Sequence, residues 1–202
     1  ASSKLRLDTK TTFALRSSLD LRRFAAQNFY TTLVADTAKE SIKSSWLHAQ
    51  LVRQVNRGNI SLNISHKHLV DKYAFNPSST ANKSTSKLVQ GLLSWSHNLQ
   101  SMGSFVAGIH FQNKRISSND RGNHQRNALA PFITYQYTRG NFHIHPSLRF
   151  DWRETLGIEW VPQINLSYKR NQWQWRSTIG KSIRDADFTE RFNNYNKPYV
   201  AG

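Results

Sequence analysis

The clearest pattern in the chain is strict alternation of apolar and polar positions. In residues 142–152, Phe142, Ile144, Pro146, Leu148, Phe150 and Trp152 fall on one side of an extended chain. His143, His145, Ser147, Arg149 and Asp151 fall on the other. A period of two over this length predicts a strand between two unlike environments. The next segment repeats it, with Ile158, Trp160, Pro162, Ile164, Leu166 and Tyr168 set against Glu159, Gln163, Asn165 and Ser167. Shorter alternating runs occupy residues 60–64, 105–111 and 129–137. From about Trp46 onward the chain reads as alternating segments joined by turns, about ten strands in all, each following its neighbour in a meander.

The connections have a rhythm of their own. Short turns fall at residues 56–59, 100–103, 138–141 and 169–172, where Gly and Asn supply the backbone freedom a hairpin needs. Longer polar connections are expected at residues 74–85 and 117–126. Short turns on one side and long loops on the other are the habit of outer-membrane barrels. The first stretch, residues 3–34, is less regular. Residues 13–17 and 24–34 read as strands, but Phe24-Ala-Ala-Gln-Asn-Phe also suits the start of a helix.

Charge placement follows the same division. No charged residue lies on the apolar side of residues 142–152 or 158–168. On the side carrying Phe105 the first charge is Arg115, and on the side carrying Trp173 it is Lys181, both near strand ends. An Arg or Lys at a bilayer midplane costs about 2–4 kcal/mol, falling to about 0–1 at the interfaces. A sandwich core would exclude charge as well, so the aromatic residues carry more weight. Tyr135, Tyr137, Phe142, Tyr168, Trp173 and Trp175 flank the short turns, and Trp152 and Trp160 flank the opposite ends. Aromatics at both ends with Ile and Leu between form the girdles of a membrane wall.

Composition modifies this picture in three ways. Mean hydropathy is −0.64 and there is no long apolar run, so no transmembrane helix is encoded. A barrel keeps low hydropathy because half of each strand faces a polar lumen. Cysteine is absent, which excludes disulfides, zinc–thiolate sites and thiol nucleophiles. The net charge of +16 invites an anionic partner, but the basic residues are scattered and match no nucleic-acid motif, so nucleic acid is not expected. No signal peptide is visible at Ala1. The expectation is a removed signal or a chain that begins inside a larger protein.

The most specific stretch is residues 173–195, WQWRSTIGKSIRDADFTERFNNY. Within it Gly180, Ile183, Arg184, Asp185, Ala186, Asp187, Phe188, Thr189, Glu190, Arg191 and Phe192 resemble a strand-end run of TonB-dependent outer-membrane receptors, in a form like that of Bacteroidetes-type bacteria. The family's usual Pro is missing, with Asp187 after Ala186. No plug domain, TonB box or terminal aromatic strand signature is present in residues 1–202. The resemblance implies a barrel of about 22 strands, of which this chain supplies a middle portion of wall. It also implies that the motif strand rises to the outside, placing every short turn on the periplasmic side.

The expected fold is therefore all-β, an antiparallel meander forming part of a transmembrane outer-membrane β-barrel over residues 1–202. The resemblance implies active import of a scarce nutrient such as cobalamin or a ferric siderophore. The implied partners are the outer-membrane lipid bilayer, the remaining strands, a plug domain, TonB acting through that plug, and a surface lipoprotein in the glycan-uptake variant. Two other readings stand beside it: a self-contained small barrel with a structural or adhesive role, and a soluble β-protein that binds anionic ligands.

Candidate chemistry is sparse. Arg184, Asp185, Asp187, Glu190 and Arg191 are expected to shape an extracellular vestibule or touch the plug, or to form an ion-paired strand end. Asp120 and Arg121 are candidates for ligand contact from a long loop. His143, His145, Arg149 and Asp151 are expected to line the lumen; no third ligand accompanies the His pair, so no metal is expected. His66 and His68 read as surface histidines. No Gly-x-Ser-x-Gly elbow, phosphate cradle or carboxylate pair is present, so no enzyme and no cofactor are expected.

Overall fold

A computed structural model describes residues 1–28, 36–154, 157–184 and 186–192. These form one antiparallel sheet of ten strands in strictly sequential order. The strands are β1 (Ser2–Arg6), β2 (Thr11–Ala25), β3 (Lys39–Val55), β4 (Gly58–Ala74), β5 (Asn82–Asn98), β6 (Ser104–Ser118), β7 (Gly122–Arg139), β8 (Phe142–Arg153), β9 (Gly157–Arg170) and β10 (Trp173–Gly180). A single helical turn, α1 (Phe188–Arg191), follows. The sheet is open, with β1 and β10 as its edges. Among the described residues no helix is long and apolar enough to cross a membrane.

The register joins the alternating segments into two continuous faces. One row of paired residues runs Leu5, Phe13, Leu51, Leu62, Leu93, Ile109, Pro131. Across β8 and β9, Ile144 meets Leu166, Pro146 meets Ile164 and Phe150 meets Trp160. The opposite face is polar and bonded side chain to side chain: Gln50 Nε2 donates to Asn63 Oδ1 at 2.9 Å, and the Ser61 and Ser94 hydroxyls meet at 2.9 Å.

Burial is inverted relative to a water-soluble protein. On β4 the apolar positions Ile60, Leu62 and Ile64 are exposed, while Asn59, Ser61, Asn63 and Ser65 on the polar face are half-buried. At the far edge Trp173, Trp175 and Ile179 are 73%, 70% and 69% exposed, and both faces of β10 are open. No large side chain among the described residues is fully buried. The few buried apolar strand residues, Ala14, Ile116 and Ala130, belong to the polar face. The described residues thus contain no second layer and no hydrophobic core.

The apolar positions form a band that drifts across the sheet. In β2 it covers residues 13–21 and centres on Ser17. The paired row through Ser17 crosses Leu47, His66, Val89, Asn113 and Asn127. By β7 the band covers residues 129–137 and centres on Ile133, six residues from Asn127 and five strands on. With about 3.3 Å per residue and about 4.8 Å between strands, a drift of about 1.2 residues per strand inclines the band by about 40° to the row. Strands in closed barrels tilt by about 35–45° for the same geometric reason.

Four sequence expectations change. Residues 117–126 are not a long loop: β6 and β7 continue to Ser118 and Gly122, leaving three residues between them. Likewise the connection expected at 74–85 shrinks to residues 75–81. Beyond the apolar band both faces of a strand are polar, so the period-two signal vanishes while the ladder of hydrogen bonds goes on. Phe24 and Ala25 close β2 instead of opening a helix; residues 29–34 lie outside the described residues. Lys181 does not extend the apolar face of β10. Its Nζ bonds Glu159 Oε2, on the polar face, at 2.5 Å.

At the short-turn end, Gly103 has φ +99°, and a Cβ there would lie 2.1 Å from the Gln136 carbonyl oxygen. Gly108 on β6 lies under the Phe132 ring, where a Cβ would sit 2.7 Å from the nearest ring carbon. Gly108→Val should displace that ring and destabilise the sheet by about 1–3 kcal/mol, read from the denaturant midpoint of the refolded protein. In the β1–β2 turn, Asp8 Oδ1 accepts the amides of Lys10 at 2.7 Å and Thr11 at 2.8 Å. The Lys10 amide first, with Thr11 and Arg53 adding, holds the Asp8 carboxyl below its usual range. Its stabilising effect is present above the ordinary carboxylate pKa of about 4 and lost as pH falls through the depressed value. Hydrogen exchange at Thr11 should stay slow through mild acid and quicken only below that, whereas in Asp8→Ala it is fast throughout.

Candidate functional site

The polar face is densest near the ends of β3–β7 away from the short turns. One paired row there runs Ser18, Trp46, Lys67, Leu88, Lys114, Arg126 across six strands. Lys114 and Arg126 are direct cross-strand partners, a like-charge pair that repels unless something neutralises it. Trp46 stacks on His48 with ring centroids 5.5 Å apart, and a hollow of about 450 Å³ opens between Asp20, Trp46, Ser65, Lys67 and Gln90. Cations beside an aromatic plane and amides suit a large ligand carrying negative charge.

The chain after β10 folds back onto this row. Arg126 Nη1 donates to the Ala186 carbonyl at 2.9 Å, and its guanidinium lies 5.9 Å from the Phe188 ring centroid. Phe192 stacks on His124, and the His124 Nε2–H donates to the Arg121 carbonyl at 2.6 Å. Asp187 caps α1: its Oδ1 accepts the Glu190 amide at 2.9 Å, and Glu190 Oε2 accepts the Asp187 amide at 3.0 Å. This capping box satisfies the donors at the start of the turn. Arg184 pairs with the other Glu190 carboxylate oxygen. A smaller hollow of about 200 Å³ lies beneath Phe188, lined by Lys67, Leu69, Ser86, Leu88 and Lys114 among others.

The sequence-derived candidates divide into groups. Arg184, Asp187 and Glu190 come together as the ion-paired cap, and Arg191 belongs to the same turn; Asp185 lies outside the described residues. Asp120 and Arg121 occupy the tip between β6 and β7, 4.0 Å apart, with Arg121 Nη1 donating to Ser84 Oγ at 3.3 Å. They therefore border the same end as the docked segment. His143, His145, Arg149 and Asp151 all fall on the polar face of β8 but do not converge. Arg149 and Asp151 form a bidentate pair at 2.7 and 3.0 Å, while His143 bonds the Thr138 hydroxyl at 2.8 Å, nearer the short-turn end. Among the described residues no cluster of His, Asp and Glu is arranged to hold a metal. His66 and His68 lie on the apolar face, beside Val89 and Lys87.

Sequence reading missed Trp46, Lys67, Lys114, His124 and Arg126. Their signal was parity: each sits out of phase with the apolar residues of its own strand, but only the register aligns Trp46, Lys67, Lys114 and Arg126 in one row, with His124 opposite Ile116 in the next row of that face. Removing the Arg126 guanidinium should loosen the docked segment and leave the sheet intact. Arg126→Ala forgoes a charged hydrogen bond of about 1.5–3 kcal/mol, so amide exchange in residues 187–192 should accelerate at least tenfold at unchanged global stability. Equal exchange in both proteins would show that the segment is held by something else. Comparison with protein-family models and with curated proteins returns no match.

Proposed function

We propose that this chain forms part of the wall of an outer-membrane barrel that imports a scarce, large nutrient complex. The observation that carries the reading is the uncovered apolar face, set against a polar face that carries the cationic row and the docked segment. Soluble monomers rarely leave a contiguous apolar surface of more than a few hundred Å² uncovered. The band's inclination of about 40° is what a tilted barrel wall requires. Both edges of the sheet invite further strands, which favours a larger barrel over a self-contained small one.

In this reading the short turns face the periplasm and the ends of β3–β7 at Asp120 and Arg121 face outward. The polar row Trp46, Lys67, Lys114 and Arg126 lines the upper lumen. A ferric siderophore or a cobalamin is the ligand class, a plug domain closes the lumen, and TonB drives release through the plug. A surface lipoprotein is a partner only if the cargo is a glycan. The soluble alternative leaves the apolar face in water, and nothing in the described residues covers it.

Two measurements test this proposal. Ile133 is 50% exposed at the centre of the β7 band. Ile133→Arg should cost about 2–4 kcal/mol if that face meets lipid, but within about 0.5 kcal/mol of nothing if it meets water; refolding into bilayers reads the difference. Cells lacking the protein should lose energy-dependent uptake of a ferric siderophore or cobalamin. Unchanged uptake across both classes, with and without the proton-motive force, would contradict the transport role.

A further inference from the structure

The outward, apolar face carries charge of only one sign. Every strand-borne carboxylate among the described residues, Asp20, Glu40, Asp71, Asp151 and Glu159, lies on the polar face. The apolar face carries Arg23, Lys39 and Lys43 on β2 and β3, beyond the end of its apolar band. On the following strands Lys72 stands directly opposite Lys83, and His68, Lys87 and Arg115 follow one another in a single row. Like charges directly opposite one another destabilise a sheet unless an anion bridges them. Among the described residues no carboxylate of this face is placed to do so, and the Arg115 Nε donates to the neutral Asn113 amide oxygen, at 3.0 Å.

The place of these cations on the strands is specific. They begin one or two rows past Ile64, Val89 and Phe111, where the apolar band ends. Between β5, β6 and β7 the surface dips into an open hollow of about 590 Å³ whose lining includes Thr85, Lys87, Arg115, Ser117, Asn123 and Gln125. Two cations, two hydroxyls and two amides form a donor set for phosphate oxygens. Below it on this face come Val89, Asn113 and Asn127, and then the apolar ledge of Phe111 and Leu129, which would receive acyl chains attached to that phosphate.

We propose that this belt over β4–β7 binds phosphate-bearing lipid headgroups of the outer leaflet, with Lys87 and Arg115 as the central pair and Lys72 and Lys83 as a flanking one. The inference rests on the membrane reading above, because a soluble protein would offer these cations to any anion. The acyl ledge makes lipid the source of the phosphate in preference to the free ion.

The test uses the full chain reconstituted in phosphatidylcholine nanodiscs doped with lipid A, with retained lipids counted by native mass spectrometry. Lipid A should be retained in preference to phosphatidylcholine. The double variant Lys87→Gln/Arg115→Gln should weaken retention roughly 30-fold, about fivefold per charge removed. The charge-keeping variant Lys87→Arg/Arg115→Lys should retain it, which separates loss of charge from misfolding. Equal retention of both lipids, or retention indifferent to the double variant, overturns the proposal. Displacement of lipid A by inorganic phosphate at matched ionic strength overturns it too, leaving a free-phosphate site. Failure to insert into either nanodisc sinks the membrane reading itself and the belt with it.

Discussion

Burial of apolar surface drives most folding, and in this chain nearly all of that surface lies on one side of one sheet. Fully burying a single large apolar side chain is worth about 1.5–3 kcal/mol. The half-exposed Leu, Ile, Phe and Trp of this face together represent on the order of tens of kcal/mol, more than the whole stability of an ordinary domain at about 5–15 kcal/mol. The sheet is therefore defined by what must cover its apolar face. Among the described residues the other features follow from that demand: the absence of a core, the exclusion of carboxylates from the apolar face, and the placement of aromatics toward the ends of the strands.

The polar face answers a different requirement. Its side chains crowd together and satisfy one another, through Gln50 with Asn63, Ser61 with Ser94, and Arg149 with Asp151. Where this satisfaction fails, chemistry becomes possible. Lys114 and Arg126 face each other across two strands, and the segment after β10 brings the Ala186 carbonyl and the Phe188 ring against Arg126. A segment that occupies a cationic row is in the position of a ligand, and this is why the row is the candidate binding surface.

How much of this was legible in the sequence depended on where the environment alternates. Residues 142–152 and 158–168 read correctly as β8 and β9, because their two faces differ at every step. The facing ends of β6 and β7, within residues 117–126, were read as loop, since Ser117, Ser118, Asn123, His124, Gln125 and Arg126 are polar in both phases. The ladder there is a backbone property that side-chain pattern does not report. The row of Trp46, Lys67, Lys114 and Arg126 was illegible for another reason. Its members lie far apart in the chain, and only the register brings them into line. The cap formed by Asp187 and Glu190 was visible as a charge cluster, but its docking beside His124 and Arg126 was not.

The central claim is that the apolar face meets lipid and the polar face meets water. The chain has no cysteine, so single cysteines can be introduced one at a time and spin-labelled without background. Such a scan through β8, Phe142–Arg153, in reconstituted bilayers measures collision with oxygen, which concentrates in lipid, against a water-soluble nickel chelate. The account predicts a period of two: high oxygen accessibility at positions 144, 146, 148 and 150, and chelate access at 143, 145, 147 and 149. Chelate access at both sets of positions, or protection of the even set from both reagents, would contradict it.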